Sequence, residues 1–435
     1  MTEKNKILSR ERVRSMKEML QLFRNKVYAR FFLANILERL GSMIAGVSLM
    51  FYLLNQYGKQ PVYATMTQIM MALPALIFFL LVGSVVDRFD RQRICTVSNI
   101  CCSLCNIGIL ISLYYGMIIL VFIFLFLENA CIQFFSPSEQ SMIQGVVESD
   151  QYGAAAGVNQ MVNSLYALFG VGIATMVYWT FGIYGSILVN TLTFIMSGIL
   201  IQTISIPEKV RLPNGRTKWK EVNLKMLITE FQEGIKYIYQ NDTLKKLLLG
   251  FIVFGLLNGI LSVSTTYILK YKLAPATYES LAMVGGVVGG ISLLIGSIVA
   301  TSVGKKYAPK PIIVFGMAGS GVFFGMCYFV NHVWSFYVCI AFATFFLPFI
   351  NVAIMGWMYE IVEESFMGRV QSLLSPLTTG FQLLSLGAIA MLFPKWIRAD
   401  TLFIILFGLL FFVTCLYQAI LPSGKKRVQS IAEEI

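Results

Sequence analysis

Long apolar segments recur along most of this chain, and their length limits its fold more than any other feature. Of its 435 residues, 57% are hydrophobic and 13% are charged, whereas soluble domains carry about 25% charged residues. A helix needs about 20 apolar residues to cross a bilayer. The sequence therefore predicts an all-α polytopic membrane protein. Twelve runs approach or exceed the spanning length: 28–55, 62–86, 94–113, 117–139, 154–179, 183–205, 246–270, 278–303, 311–330, 333–360, 372–394 and 400–421.

Basic residues are distributed unevenly between the two sets of alternate loops. The segments on one side hold 28 of the 34 lysines and arginines. Because cytoplasmic loops are enriched in these residues, we expect both termini in the cytoplasm. The net charge of +12 then reflects orientation on an anionic leaflet, and we expect no nucleic-acid partner. The loops on the other side hold few bases: Lys59, Lys270, Lys272, Lys395 and Arg398.

The same pattern divides the chain into five predicted segments. The apolar residues of Leu224–Tyr239 recur at helical spacing, which predicts a helix lying along the membrane surface. The five segments are a basic N-terminal segment (1–27), a first six-helix half (28–206), a cytoplasmic linker with that surface helix (207–245), a second six-helix half (246–421) and a cytoplasmic tail (422–435).

Little in the sequence indicates an enzyme or a bound cofactor. The chain has one histidine, and four of its eight cysteines lie in a single apolar run, where thiols usually act as small hydrophobic groups. It lacks a Walker-type phosphate-binding loop. We therefore expect no metal, no cofactor and no catalytic residues.

A short charged stretch joins the second and third apolar runs: Gly83-Ser-Val-Val-Asp87-Arg88-Phe-Asp90-Arg91-Gln-Arg93. It resembles motif A of the major facilitator superfamily of transporters, Gly-x-x-x-Asp-Arg-x-Gly-Arg-Arg/Lys. Asp90 stands where the family has glycine, and Gln92 stands where it has a base. Since glycine lacks a side chain, we expect Gly83 to let two helices approach closely. Four positions match the pattern: Gly83, Asp87, Arg88 and Arg91.

Two elements also recur between the halves. Gly83-Ser-Val-Val returns as Gly296-Ser-Ile-Val, and Val147-Glu-Ser returns as Val362-Glu-Glu. A parallel repeat is typical of the major facilitator fold, so the resemblance implies 12 transmembrane helices in two pseudo-symmetric six-helix halves. The segment that begins Phe134-Phe-Ser-Pro137 resembles the bacterial branch that includes macrolide-efflux and siderophore-exporter proteins. That branch implies a monomeric, multi-pass protein of the bacterial cytoplasmic membrane.

Ionisable residues inside the spans are candidates for function, because hydrocarbon makes them costly. Glu38 lies about ten residues into the first run, and Glu128 lies about eleven from the cytoplasmic end of the fourth, if Glu139 marks that end. At about 1.5 Å per residue, both lie near the bilayer midplane. Burial disfavours the ionised carboxyl, so either acid suits proton coupling. Arg39 either holds Glu128 ionised while Glu38 titrates, or the two acids exchange these roles, or Arg39 and Glu128 form a static pair.

The resemblance implies a gating role for the charged stretch. In the family, motif A ties the halves together on the inner side, which implies gating residues at Gly83, Asp87, Arg88, Asp90 and Arg91. We expect Arg369 to meet Asp87 across the halves, and Asp90 to cap the third helix. Polar and aromatic residues inside the spans are candidates for a substrate cavity: Gln68, Tyr52, Phe134, Asn163, Asn258, Asn351, Trp357 and Gln382.

Three functions fit this pattern. The first is a secondary active exporter of a lipophilic or amphipathic small molecule, such as a drug, a macrolide or a siderophore, driven by proton antiport and alternating access. The second is a flippase for lipids or lipid-linked precursors with the same fold. The third is a non-transporting scaffold or sensor, which the motif and the midplane acids disfavour because a scaffold needs neither. Expected partners are a small-molecule substrate, protons and membrane lipids.

Overall fold

The chain is almost entirely helical in the computed structural model, which describes residues 22–147, 152–212, 232, 235–304, 307–362 and 364–421. These residues contain no strand. A π-helical turn, Leu269–Leu273, continues the seventh helix. The helices are α1 (Lys26–Gln56), α2 (Val62–Arg88), α3 (Arg91–Tyr114), α4 (Ile118–Val146), α5 (Tyr152–Gln202), α6 (Glu208–Arg211), α7 (Asp242–Ile268), α8 (Tyr278–Gly304), α9 (Pro309–Phe329), α10 (Val333–Ile361), α11 (Glu364–Leu392) and α12 (Thr401–Ile420).

Helix α5 contains two membrane spans. Its 51 residues would extend about 76 Å, far more than the roughly 30 Å of hydrocarbon in a bilayer. Gly182 interrupts it with φ 65° and ψ −170°, a backbone conformation that glycine adopts without a steric penalty. Eleven helices of the described residues are long and apolar enough to cross a membrane. With α5 divided at Gly182, the count matches the predicted twelve spans.

Several helices extend beyond the predicted runs. Helix α4 continues to Val146, so the assumption that Glu139 marks its end is wrong. The charge of Glu139 led to that assumption, but its side chain is fully buried and the backbone around it stays helical. Helix α11 begins at Glu364 and α3 at Arg91, both before the predicted starts. Most of the predicted surface helix lies outside the described residues. Residues 235–240, at its end, are described and are helical.

Small residues allow close packing where helices cross. A side chain at Gly259 would meet the Gln382 carbonyl oxygen of α11 at 2.5 Å, and one at Gly296 would overlap the Phe345 carbonyl of α10. Such contacts stabilise helix pairs in membranes, where helix association gains little from the hydrophobic effect. Among the described residues, closely packed helix pairs include α3 with α4, α9 with α10, α8 with α10, α7 with α11 and α9 with α12.

The chain divides into two compact units. The first comprises Met1–Ser48, Ile77–Tyr166 and Met176–Val222, and the second comprises Leu49–Leu76, Ala167–Thr175 and Asn223–Ile435. A buried cluster in the first unit joins α1, α3, α4 and the end of α5 through residues such as Phe31, Cys95 and Phe135. The second unit buries the aromatic rings of Tyr267, Phe336 and Tyr417. The predicted halves, 28–206 and 246–421, remain a prediction.

Candidate functional site

Glu128 lies in the interior of the first unit, the eleventh of the 29 residues of α4. Its side chain is 2% exposed, and its Oε1 accepts hydrogen bonds from Asn190 Nδ2 at 2.8 Å and Asn106 Nδ2 at 3.4 Å. Its Oε2 is buried and has no hydrogen-bond partner among the described residues. One oxygen is therefore held by amides while the other is left without a donor. A protonated carboxyl suits that environment better than a carboxylate, because an ionised group needs more donors when it is desolvated.

The two asparagines belong to a row of polar contacts between α3 and the part of α5 that follows Gly182. Its positions recur every seven residues, which is about two helical turns, and the last of them, Ile204, lies two residues after the end of α5. The two helices run antiparallel, so the contacts repeat at matching positions along both. Together they fix the rotation of each helix about its own axis. The seven-residue spacing of these polar positions was the signal in the sequence that could have identified the contacts. The contacts are hydrogen bonds of Gln92 with the Ile204 carbonyl (2.9 Å), Asn99 with Ser197 (3.2 Å) and Asn106 with Asn190 (3.3 Å).

Glu38 on α1 is the second buried acid that the sequence indicated. Its side chain is 4% exposed, and it lies within electrostatic range of the carboxyl groups of Glu128 and Glu139. The Arg39 charge acts on Glu38, Glu139 and Tyr166. The first unit therefore gathers three carboxyl groups and one guanidinium around α1 and α4. Which acid Arg39 balances remains a prediction.

Glu139 is the third acid of this group and was not among the predicted site residues. It lies eleven residues after Glu128 on α4. Eleven residues make three turns of an α-helix, so the two acids share one face. Glu139 is fully buried, and its Oε2 accepts a hydrogen bond from Asn35 Nδ2 of α1. The helical spacing of the two acids was the signal that could have identified it.

Gly41 brings α1 close to the asparagine that binds Glu128. A methyl group on Gly41 would overlap Thr193 Oγ1 and lie 2.6 Å from Asn190 Oδ1. We expect Gly41→Ala to lower the free energy of unfolding by about 1–3 kcal/mol, the usual effect of overpacking. Thermal unfolding of the purified protein measures it. The matched control is Gly83→Ala, because a methyl group there meets no described atom within 4 Å. Equal effects of the two variants would contradict the packing role of Gly41.

The charged stretch is tied to the start of the linker by hydrogen bonds and ion pairs. Asp90 caps α3 by accepting hydrogen bonds from the backbone N–H of Gln92 (3.1 Å) and Arg93 (3.3 Å), which confirms the predicted cap. Its other oxygen, Oδ2, pairs with Arg93 at 3.4 Å and with Arg211 of α6 at 3.2 Å. Arg91 donates to the carbonyl oxygens of Val86 (3.2 Å) and Val210 (3.3 Å). These contacts hold α6 against the α2–α3 turn.

Two expectations for this stretch have different outcomes. The expectation that Gly83 permits close helix approach is wrong for the described structure, since the space beside it is open. The side chains of Asp87 and Arg369 lie outside the described residues, so their contact across the halves remains a prediction. Asp90 explains how the stretch tolerates the loss of the family's glycine, because its carboxylate supplies a helix cap.

Replacing Asp90 separates its two roles. Asp90→Ala removes the cap and both ion pairs, and we expect a loss of about 1–3 kcal/mol in the free energy of unfolding. Asp90→Asn retains a capping oxygen, so we expect a loss of less than about 1 kcal/mol. Thermal unfolding of the two variants against wild type measures both. If they are equally destabilised, the ion pairs outweigh the cap.

A second cluster of polar side chains lies in the second unit, at the loop ends of α1, α7 and α8. We call it the Asn55 cluster, and it comprises Asn55, Lys270, Tyr278 and Glu279. Asn55 Oδ1 accepts from Tyr278 OH at 2.8 Å and from Lys270 Nζ at 3.1 Å, and its Nδ2 donates to Glu279. The Lys270 ammonium also lies 4.3 Å from the Tyr278 ring centroid. One asparagine therefore joins three residues from two other segments.

Two tyrosines reinforce this contact beside the Asn55 cluster. Tyr267 OH donates to the Pro61 carbonyl at 2.8 Å and lies 2.6 Å from Thr65 Oγ1. Tyr271 OH donates to the Gly58 carbonyl at 2.8 Å. Both rings pack on Phe393, the Tyr267 ring at a centroid distance of 4.7 Å. The α1–α2 turn is thus fastened to the end of α7 by buried hydrogen bonds.

The predicted cavity residues occupy varied environments. Gln68 contacts Met50 Sδ at 3.9 Å, and Phe134 packs on Phe78 at a centroid distance of 6.0 Å. Trp357 is 6% exposed. The Asn163 side chain lies outside the described residues, and that these residues line one cavity remains a prediction. The others are half-buried or exposed: Tyr52, Gln382, Asn258 and Asn351.

The fold and the charged stretch agree with comparisons to known proteins. The family model described as Major Facilitator Superfamily matches residues 31–375, and the chain belongs to this superfamily of membrane transporters. It is 36% identical over 378 residues to the MFS-type transporter YkuC of Bacillus subtilis, covering 87% of this chain and 88% of that one. It is 23% identical over 348 residues to macrolide efflux protein A of Streptococcus pyogenes, covering 76% and 80%.

Solved structures share the fold at low sequence identity. A POT family transporter in complex with 5-aminolevulinic acid aligns with a TM-score of 0.70 at 12% identity, covering 90% of this chain and 95% of that one. A bacterial homologue of the iron transporter ferroportin, in its inward-facing state, aligns with a TM-score of 0.69 at 13% identity, covering 90% and 98%. These similarities establish the fold and leave the cargo open.

Proposed function

We propose that this transporter is a secondary active exporter of a lipophilic or amphipathic small molecule, driven by proton antiport. The observation that supports it most is Glu128, a buried acid with one oxygen held by two asparagines and the other without a donor among the described residues. Transporters use intramembrane acids of this kind as proton relays. A permanent structural pair would instead satisfy both oxygens.

In this mechanism, Glu128 exchanges its proton for cargo. The carboxyl is protonated when no cargo is bound and loses its proton as cargo binds nearby. Protonation from the outer side then expels the cargo, so inward proton movement drives export. Arg39 supplies one positive charge, which acts on Glu38 and Glu139. We assign the charge change to Glu128.

A macrolide is the cargo class that we propose, because macrolide efflux protein A is similar over 76% of the chain. The cytoplasmic membrane, with both termini inside, is the proposed location, since 28 of 34 basic residues lie in the segments assigned to that side.

Transport by purified protein in liposomes tests the proposal. An imposed pH gradient should drive uptake of a labelled macrolide, and the macrolide should in turn drive proton movement that a pH-sensitive dye in the lumen reports. Liposomes without protein are the control. Macrolide movement that ignores the gradient would contradict proton coupling. Movement of labelled lipid between leaflets, with no macrolide transport, would replace the exporter with the flippase.

A further inference from the structure

A lateral cavity opens in the first unit beside the α2–α3 turn. Its volume is about 610 Å³, within the range of small-molecule sites. Residues of α2, α3, α4 and the start of the linker line it, and the charged ones among them are Arg88, Asp90, Arg93 and Arg211. Arg88 and Asp90 of the charged stretch and Phe134, a predicted substrate-cavity residue, line it, but the proton exchange proposed at Glu128 uses none of them.

The charged end of the cavity carries a positive excess. Asp90 is the one acid among the described lining residues. It pairs with both Arg93 and Arg211, and together with Arg88 the described charged lining residues are three arginines and one aspartate. The Arg93 side chain is 81% exposed, whereas that of Arg211 is 30% exposed and its Nε is buried, so Arg93 is open and Arg211 is partly accessible. Guanidinium groups bind phosphate through paired hydrogen bonds.

The rest of the cavity is apolar and extends into the membrane span. On α3, Ile94, Val97 and Cys101 follow Arg93 along one face, and the distance from Arg93 to Cys101 is about 12 Å along the axis. Leu127 and Phe134 of α4 form the opposite wall. Val97 is 57% exposed and Leu127 is 42% exposed, so the groove presents open apolar surface within the span. A matching ligand has an anionic head and an apolar tail.

We propose that this cavity binds an anionic phospholipid of the adjacent leaflet. The phosphate lies against Arg93 and Arg211, and one acyl chain lies in the groove between α3 and α4. Basic pockets beside membrane spans bind anionic head groups by this combination of charge and apolar contact. Because Arg211 belongs to α6 and Arg93 to α3, the lipid bridges the linker start and the α2–α3 turn.

Lipid titration of the purified full-length protein in a neutral detergent tests this site. The probes are phosphatidylglycerol and phosphatidylcholine with identical acyl chains, and inorganic phosphate as a head group without a tail. Thermal unfolding reports stabilisation by each probe, and native mass spectrometry counts bound lipids. The variants are Arg93→Gln, Arg211→Gln and Val97→Trp, which fills the groove. Each lipid-induced shift is compared with the same variant without lipid.

Arg398→Gln is the matched control. Arg398 is 79% exposed and pairs with Asp400 at 3.1 Å, as Arg93 pairs with Asp90, but it does not line the cavity. We expect phosphatidylglycerol to bind more tightly than phosphatidylcholine, and each arginine variant to weaken its binding by about fivefold. Val97→Trp should remove the bound lipid while Arg398→Gln leaves it unchanged. An equal loss in Arg398→Gln, or equal stabilisation by inorganic phosphate, would overturn the proposal.

Discussion

Cargo affinity should lose its dependence on pH in the variant Glu128→Gln. In the wild type, protonation and cargo binding oppose each other, so affinity should fall as the buffer is made more acidic. Coupling between two such sites typically changes affinity by about 5–150-fold. The substituted amide would remain uncharged at every pH, and its oxygen can still accept the hydrogen bond from Asn190. Binding measured by tryptophan fluorescence or calorimetry, in acidic and alkaline buffer, tests this prediction.

Two further variants make the result specific to Glu128. Glu208→Gln removes an exposed carboxyl of α6 and should keep the full pH dependence. Glu38→Gln should also keep it, because the proposal assigns the proton to Glu128. A flat profile in Glu38→Gln alone would exchange the roles of the two acids. Full pH dependence in both buried-acid variants would show that neither one couples protons to cargo.

Asn55→Ala should open the loop ends of α1 and α2 away from α7 and α8. The substitution removes the hydrogen bonds of Asn55 to Lys270, Tyr278 and Glu279. Partly exposed hydrogen bonds contribute about 0.5–1.5 kcal/mol each, so we expect the three together to account for about 1.5–4.5 kcal/mol. Since each 1.4 kcal/mol is about a tenfold change, that loss raises the open-to-closed ratio by about 10–2,000-fold. On the proposed topology the cluster faces the outside, so the variant favours the outward-open state.

A cysteine placed at a buried position near the start of α2 reports this opening. Ala64 on α2 is 1% exposed, and Ala64→Cys changes its volume little. A membrane-impermeant maleimide should label it faster in the Asn55→Ala background than alone, by a factor that follows the change in the open-to-closed ratio. Asn129→Ala is the matched control, because Asn129 bonds to Leu125 of its own helix. Equal labelling rates in the Asn55 and Asn129 backgrounds would contradict a fastening role for the Asn55 cluster.

The fold was predictable from the sequence because its signals are local. Whether a run of apolar residues can span the bilayer depends on its length. The structure confirms the twelve spans, with α5 divided at Gly182. The cap at Asp90 was also local, since it depends on the backbone two and three residues further on. Helix ends were harder. Glu139 was mistaken for an end because a charge in an apolar run usually marks the water interface, whereas here the chain buries it beside Asn35.

The candidate site depended on contacts between helices. The sequence selected Glu38, Arg39 and Glu128 because ionisable groups are costly in hydrocarbon. It did not identify Asn106 and Asn190, which are 84 residues apart in the chain and meet on one oxygen of Glu128. Polar residues at seven-residue spacing indicate that they share one face of a helix. The spacing does not identify the helix that packs against that face.

By itself, the sequence determined that this chain is a polytopic helical transporter with acids buried in its first half. Span length, charge asymmetry and a short motif are properties of consecutive residues, so they need no knowledge of the tertiary structure. Only the tertiary structure decided which groups surround each acid, that Asp90 binds Arg211 of the linker, and that Asn55 joins α1 to α7 and α8. The physical reason is that desolvation depends on residue type and can be read from sequence, whereas hydrogen-bond pairing depends on how the helices rotate and pack.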